Sequence, residues 1–346
     1  MENKKIRIGI IGFGRMGITH YSIINTHPDI QIVAVADTSK TILNILKKLN
    51  KELNVFTDYK ELIDVTQPDA IIISTPPNLH YPIIKYAYEK KIHIFCEKPF
   101  TANLKQADEL TNIFSNSNLV NQIGFAARYG DVLNKAKELI DNKVIGDIIR
   151  FKGEMFSCAI IKKTNGTNWR DQEENGGGVV YEMGTHMVDL INYFFGEPDK
   201  VAGTVRSKVF SKNVDDIVST TFIYKNGLTG TMYINWSDES YRKSSVSIEV
   251  FGSKGKIIAD FYGYKLFLSK GNNELNLRKG WNTFHFTDVY KPVPFYVRGN
   301  EFSRQLYDFV GLISGSHKTN LCDFAEAYKT ERIIDLIFKD SLINNN

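Results

Sequence analysis

Five short runs rich in Ile and Val, at residues 6–11, 32–36, 70–74, 92–96 and 119–123, recur along the first third of the chain. Longer helical patterns separate them, near 16–26, 41–53, 81–90 and 104–114. A strand with one wet face alternates apolar and polar residues, whereas these runs are apolar almost throughout. Such continuity belongs to strands covered by helices on both faces, which is how parallel sheets are built. The first domain is therefore expected to be doubly wound α/β, an open parallel sheet between two helical layers.

After about residue 125 the pattern changes. A helix is expected over 132–142 and an alternating strand over 148–156. From 201 to 268, runs of Thr, Val, Ile, Tyr and Phe are punctuated by Asn226-Gly227, Gly252 and Gly255. Short turns between such runs give antiparallel pairing. A further helix over 179–195 is entered through Gly176-Gly177-Gly178, and helices over 301–313 and 323–343 close the chain. The 346 residues suffice for two or three domains at about 100–200 residues each. The change of pattern sets the expected boundary: residues 1–125 form the parallel domain and 126–346 an α+β domain with a mainly antiparallel sheet.

Charge narrows the partners. With 43 Lys+Arg against 39 Asp+Glu the net charge is +4, too mild for a nucleic-acid or membrane-surface partner. No apolar run approaches the roughly 20 residues that cross a bilayer. The stretch after Met-Glu-Asn-Lys-Lys is broken by Arg7, Gly9, Gly12 and Arg15, so it offers no signal-peptide core. Cys96, Cys158 and Cys322 are odd in number and lack metal-ligand spacing. A reduced cytoplasm and no metal site are expected.

Chemistry enters at the strand ends, where ligands of open α/β sheets lie. Gly12-Phe13-Gly14-Arg15-Met16-Gly17 fits GxGxxG, ends the first strand and opens a helix, and Asp37 follows the next strand twenty residues beyond Gly17. Glycines there let the backbone approach a pyrophosphate held at the helix N-terminus, while the acid accepts hydrogen bonds from a ribose diol. Asp37 repels a 2′-phosphate and so favours NAD, although Arg15 or Lys40 can approach such a phosphate, which leaves NADP open. A tight turn with no ligand is the plainer alternative.

Two other strand ends stand out. The run 70–74 passes into Thr75-Pro76-Pro77-Asn78, and 92–96 into Glu97-Lys98-Pro99. A lysine between an apolar strand and a proline is fixed in direction, and can hydrogen-bond a substrate oxygen. On the helix 179–195, Glu182, His186, Asp189 and Tyr193 follow i, i+4, i+7 and i+11 and share one side. Carboxylates before and after His186 can set its tautomer and pKa, as a general base requires. A buried structural histidine or a metal ligand are the alternatives, and the spacing matches no zinc signature.

IGFGRMG, ISTPPNLH, FCEKPF and GGGVVYEMGTHMVDL, in that order, resemble the Gfo/Idh/MocA family of pyranose and cyclitol oxidoreductases over essentially the whole chain. The resemblance implies a Rossmann domain, then a domain on a large open antiparallel sheet, with the active site in the cleft between them. It implies cofactor contacts from Gly12, Phe13, Gly14, Arg15, Met16, Asp37, Ser74, Thr75, Pro76, Asn78, His80, Glu97 and Lys98. Asn168-Trp169-Arg170 is similar to a family Trp-Arg pair, which adds Trp169 and Arg170. The family's EKP lysine falls on Lys98 and its catalytic histidine on His186. The motif's aspartate falls on Glu182, a departure that keeps the charge and lengthens the reach. Arg128, Tyr129 and Asp189 are candidates for the substrate side.

The expected reaction is hydride transfer between a nicotinamide and a carbon bearing a hydroxyl in a sugar, cyclitol or nucleotide-linked sugar. Basic and aromatic residues near 241–243 and 290–298 would suit a phosphate-bearing or nucleotide-bearing sugar. The alternatives are a glycosidase or epimerase that retains NAD and oxidises transiently, and a non-catalytic NAD(P) sensor. Retention of Lys98 and His186 argues against the sensor. The resemblance also implies a homodimer or homotetramer, since the outer face of an open sheet must be covered.

Overall fold

The computed structural model describes residues 5–167, 169–173 and 176–344. The chain divides into two compact units, one running through Ala126 and regaining Pro292–Tyr328, the other formed by Ala127–Lys291 and the chain from Lys329 onward.

The first unit holds β1 (Ile6–Ile11), α1 (Arg15–Ile24), β2 (Ile30–Ala36), α2 (Lys40–Leu49), β3 (Asn54–Phe56), α3 (Tyr59–Thr66), β4 (Ala70–Ile73), α4 (His80–Glu89), β5 (His93–Cys96), α5 (Leu104–Ser115) and β6 (Asn121–Ile123). The strands form one sheet in the order β3-β2-β1-β4-β5-β6, every neighbouring pair parallel. This is a Rossmann sheet, and the continuous apolar runs are explained by it: Ile8, Ile10, Ile71, Ile72 and Ile94 are wholly buried between the layers. Ser39, Asp58 and Asn103 start α2, α3 and α5 by accepting the backbone N–H of Ile42, Lys60 and Gln106. The chain order reverses between β1 and β4, which opens a crevice at their carboxyl ends. Both β3 and α3 escape the sequence pattern, because the strand has three residues and the helix is polar and short.

The second unit holds α6 (Asp131–Asp141), β7 (Ile148–Phe156), a π-helical turn Val180–Gly184 that continues as α7 (Thr185–Phe195), then β8 (Lys200–Ser207), β9 (Ile217–Ile223), β10 (Thr229–Asn235), β11 (Ser245–Gly252), β12 (Gly255–Ala259), β13 (Gly263–Leu268), β14 (Gly280–His285) and α8 (Phe286–Val289). Its eight strands run in the order β14-β13-β12-β11-β7-β10-β9-β8, antiparallel except for β7 beside β10. Along β9 and β10 every second residue is buried, so one face carries the core. Helix α7 lies on that face. A Cβ on Gly153 of β7 would stand 2.6 Å from Met187 Sδ, so a larger residue there would make the Met187 side chain shift.

The single expected boundary at 125–126 is corrected by Pro292–Tyr328, which returns to the first unit. There α9 (Asn300–Ser314) buries Leu306, Phe309 and Val310 with Ile8, Ile10 and Phe95, and Gln122 Nε2 donates to the Gln305 carbonyl at 2.9 Å. The last helix, α10 (Phe324–Asn344), sets Phe324 against Phe100 and Phe114, and its Ile333, Ile334 and Ile337 join the second core. Among the described residues no helix is long and apolar enough to cross a membrane.

Candidate functional site

In the first unit the site begins with the turn after β1. Gly12 has φ +87°, and a Cβ there would stand 2.7 Å from the Ser74 carbonyl oxygen. At Gly17 a Cβ would come within 2.1 Å of the Gly12 carbonyl oxygen, so this glycine lets α1 pack on the turn. A Cβ on Gly14 would meet nothing within 4 Å, which leaves an open approach to the backbone at the start of α1. That helix has no side-chain cap and no acidic residue in its first turn. Its N–H groups and positive dipole end are thus left for an anion.

Asp37 follows the neighbouring strand β2. Its Oδ2 accepts the Phe13 N–H at 2.6 Å and its Oδ1 the Ser39 N–H at 2.7 Å, which fixes the carboxylate with lone pairs to spare. A cavity of about 260 Å³ lies beside it, lined by Gly12, Gly14, Asp37, Thr57, Tyr59, Ser74, Thr75 and Pro76 among others. The hydroxyls of Ser74 and Thr75 are buried there without a hydrogen-bond partner. An orphaned hydroxyl costs about 1–3 kcal/mol, so a polar ligand has two groups to satisfy. Spaced glycines, an uncapped helix, a fixed acid and two unpartnered hydroxyls fit a dinucleotide.

At the next strand end Lys98 is half-buried after β5. Glu97 beneath it is buried, and its Oε1 stands 2.6 Å from Nε2 of the wholly buried His20 on α1. His80 is wholly buried as well. Its Nδ1 lies 2.9 Å from the Pro99 carbonyl and its Nε2 3.0 Å from the Thr75 carbonyl. Burial pushes the His80 imidazole below its ordinary pKa, against the pull of those backbone bonds.

In the second unit the glycine run sets the start of the helical segment. Gly176 and Gly178 have φ +79° and +96°. The Val179 N–H then bonds the Asp215 carbonyl at 3.0 Å, and the Val180 N–H bonds Asp215 Oδ2 at 3.3 Å. Glu182 lies in the π turn, where its Oε1 stands 3.4 Å from Arg170 Nη2. His186 is half-buried on the first turn of α7. Asp189, one turn on, is buried. Arg128 grips it with Nε–Oδ2 at 3.0 Å and Nη2–Oδ1 at 2.8 Å, and Thr330 Oγ1 donates to Oδ1 at 3.2 Å.

The family model described as an oxidoreductase family with an NAD-binding Rossmann fold matches residues 6–125, and that of the GFO/IDH/MocA C-terminal domain matches residues 133–258. The chain belongs to the Gfo/Idh/MocA family. Its first unit is an NAD-binding Rossmann domain. Among similar proteins is an uncharacterized oxidoreductase of Schizosaccharomyces pombe, 29% identical over 59% of this chain and 55% of its own, so the match spans just over half of that relative. Myo-inositol 2-dehydrogenase of Thermotoga maritima is 27% identical over 74% of this chain and 75% of its own. A levoglucosan dehydrogenase solved with NADH and levoglucosan shares the fold, with TM-score 0.84, 21% identity and 98% of each chain covered.

The geometry gives several residues of the family likeness partners within the protein. His80 commits both ring nitrogens to backbone carbonyls, so it braces the turns after β4 and β5. Glu97 is likewise turned into the interior, toward His20. The Phe13 side chain is buried against Tyr21, and its N–H is spent on Asp37. Arg128, Tyr129 and Asp189, expected on the substrate side, are all buried, and Arg128 with Asp189 forms an internal ion pair. Asn78 is exposed and lies off the cavity lining. Asn168 and the Trp169 side chain lie outside the described residues. Sequence reasoning missed His20, Thr57 and Tyr59. Nothing local marks the first, whose partner Glu97 lies 77 residues on; Thr57 and Tyr59 sit at the junction of β3 and α3, elements too short to read.

Proposed function

We propose that this chain is an NAD-dependent dehydrogenase acting on a hydroxyl-bearing carbon of a sugar, cyclitol or nucleotide-linked sugar. The observation that carries this reading is the cavity beside Asp37 with its unpartnered Ser74 and Thr75 hydroxyls, one strand away from the lysine that ends β5. Support for the substrate class comes from the relatives, one of which is a myo-inositol 2-dehydrogenase. When bound, NAD supplies a hydride acceptor at nicotinamide C4. Lys98 Nζ donates a hydrogen bond to the reacting oxygen and stabilises negative charge as it develops there. An imidazole nitrogen of His186 takes the hydroxyl proton, and Glu182, held by Arg170, tunes that proton's release. In the reducing direction the same groups donate. Asp37 selects NAD over NADP, because a 2′-phosphate would meet its fixed carboxylate.

The test is steady-state turnover on a panel of inositols, free sugars and sugar phosphates, followed at the NADH absorbance. Lys98→Ala and His186→Ala should each lower kcat by about 10²–10⁴ while NADH still binds. Wild-type turnover in both variants would refute the assignment.

A further inference from the structure

One arginine outside the glycine turn reaches the start of α1. Arg298 precedes α9 in the first unit, and its side chain reaches back to the first turn of α1, where Nη1 lies 3.3 Å from Met16 Sδ. The guanidinium lies over the Phe302 ring, 5.0 Å from the centroid, which fixes its plane. A thioether is a weak acceptor for a group with five N–H donors. Among the described residues no carboxylate forms an ion pair with Arg298, and none with Arg15, whose charge acts on it from the same turn. Partial desolvation first, and the Arg15 charge second, hold the Arg298 guanidinium below its ordinary pKa, against the weaker opposing pull of the Glu97 and Glu301 carboxylates, neither of which forms an ion pair with it. Two unpaired cations are thus brought together beside the uncapped N-terminus of α1, next to the open space over Gly14. Like charges held in proximity are unfavourable until an anion lies between them.

We propose that Arg298 is a binding residue for the NAD pyrophosphate, acting with Arg15 and the N–H groups of the glycine turn. The inference rests on the dinucleotide reading of this site and adds a group 282 residues along the chain from Met16. Phe302 and Met16 hold the guanidinium in place before the cofactor arrives, so little side-chain entropy is lost on binding. A phosphate on the substrate would present the same chemistry to Arg298, and the experiment separates the two sources.

Wild type, Arg298→Met and Arg298→Lys are titrated with NADH, with ADP-ribose and with adenosine. Methionine keeps an unbranched stem over Phe302 and removes the charge. The inference expects R298M to raise the Kd of NADH and of ADP-ribose at least tenfold, about 1.4 kcal/mol. Adenosine affinity should not change, and R298K should recover most of the loss. If NADH binds R298M and wild type equally, the inference is overturned; a rise confined to the KM of a sugar phosphate would give Arg298 to the substrate and overturn it too. A wild type that binds no NADH would instead overturn the cofactor reading beneath it. Unchanged thermal melting of R298M assigns any lost affinity to the missing charge.

Discussion

Asp37 acts through a carboxylate that cannot turn away, since one oxygen is held by the Phe13 N–H and the other by the Ser39 N–H. Asp37→Ala should therefore cost the hydrogen bonds to the ribose diol and also the repulsion of a 2′-phosphate. A hydrogen bond to a charged group contributes about 1.5–3 kcal/mol, so the NADH Kd should rise roughly 10- to 100-fold. Parallel NADH and NADPH fluorescence titrations check this, and the NADPH Kd should change much less. Asp37 and the glycines were legible because a strand end, a turn and an acid at fixed spacing are local features. Arg128 and Asp189 show the opposite case. A polar residue in a sequence does not reveal whether its partner is a ligand or, as here, another residue 61 positions away in the interior. His20 was passed over because nothing near it in sequence points to Glu97, 77 residues on.

At the scale of elements, the helical segment carrying Glu182 and His186 begins with a π turn, which the apolar spacing did not foretell. A π turn inserts an extra residue and shifts the phase of what precedes it. Glu182, within that turn, is thus shifted in phase against His186, Asp189 and Tyr193, which share the regular helix; along that helix Asp189 is buried while His186 stays partly exposed. Gly178 sets where the turn starts, with φ +96° and a would-be Cβ 2.9 Å from Asp215 Oδ1. Gly178→Ala should cost about 1–3 kcal/mol in strain and move the start of the helical segment. Its kcat should fall more than its KM rises, a split that steady-state kinetics beside a thermal melt would resolve. The apolar strands β1, β4 and β5 were readable in advance because helices cover both their faces and their runs are continuous, whereas β3, three residues long and begun by Asn54, offered no pattern.

At the scale of the whole molecule, the sequence pattern separated a parallel unit from an antiparallel one but not the return of Pro292–Tyr328 to the first. That segment is recruited by contacts such as Phe309 on Phe95, which depend on the fold already being built. Buried histidines give global stability a pH dependence with a definite sign. Burial lowers the pKa of His80 and of His93 below 6.5. The unfolded chain then binds more protons than the native one, so stability is fully present above about pH 6.5 and is lost as pH falls through the lowered values. The melting temperature should drop between pH 7 and 5, and His80→Gln should flatten the drop. Equal slopes for variant and wild type would remove His80 from the explanation.

The central claim, that substrate hydrogen passes to NAD, is tested by isotope transfer. A sugar or inositol deuterated at the reacting carbon is incubated with the protein and NAD, and the NADH formed is weighed by mass spectrometry. The account predicts NADH that carries the substrate's deuterium. Conversion of the substrate with no label in the nicotinamide would contradict it.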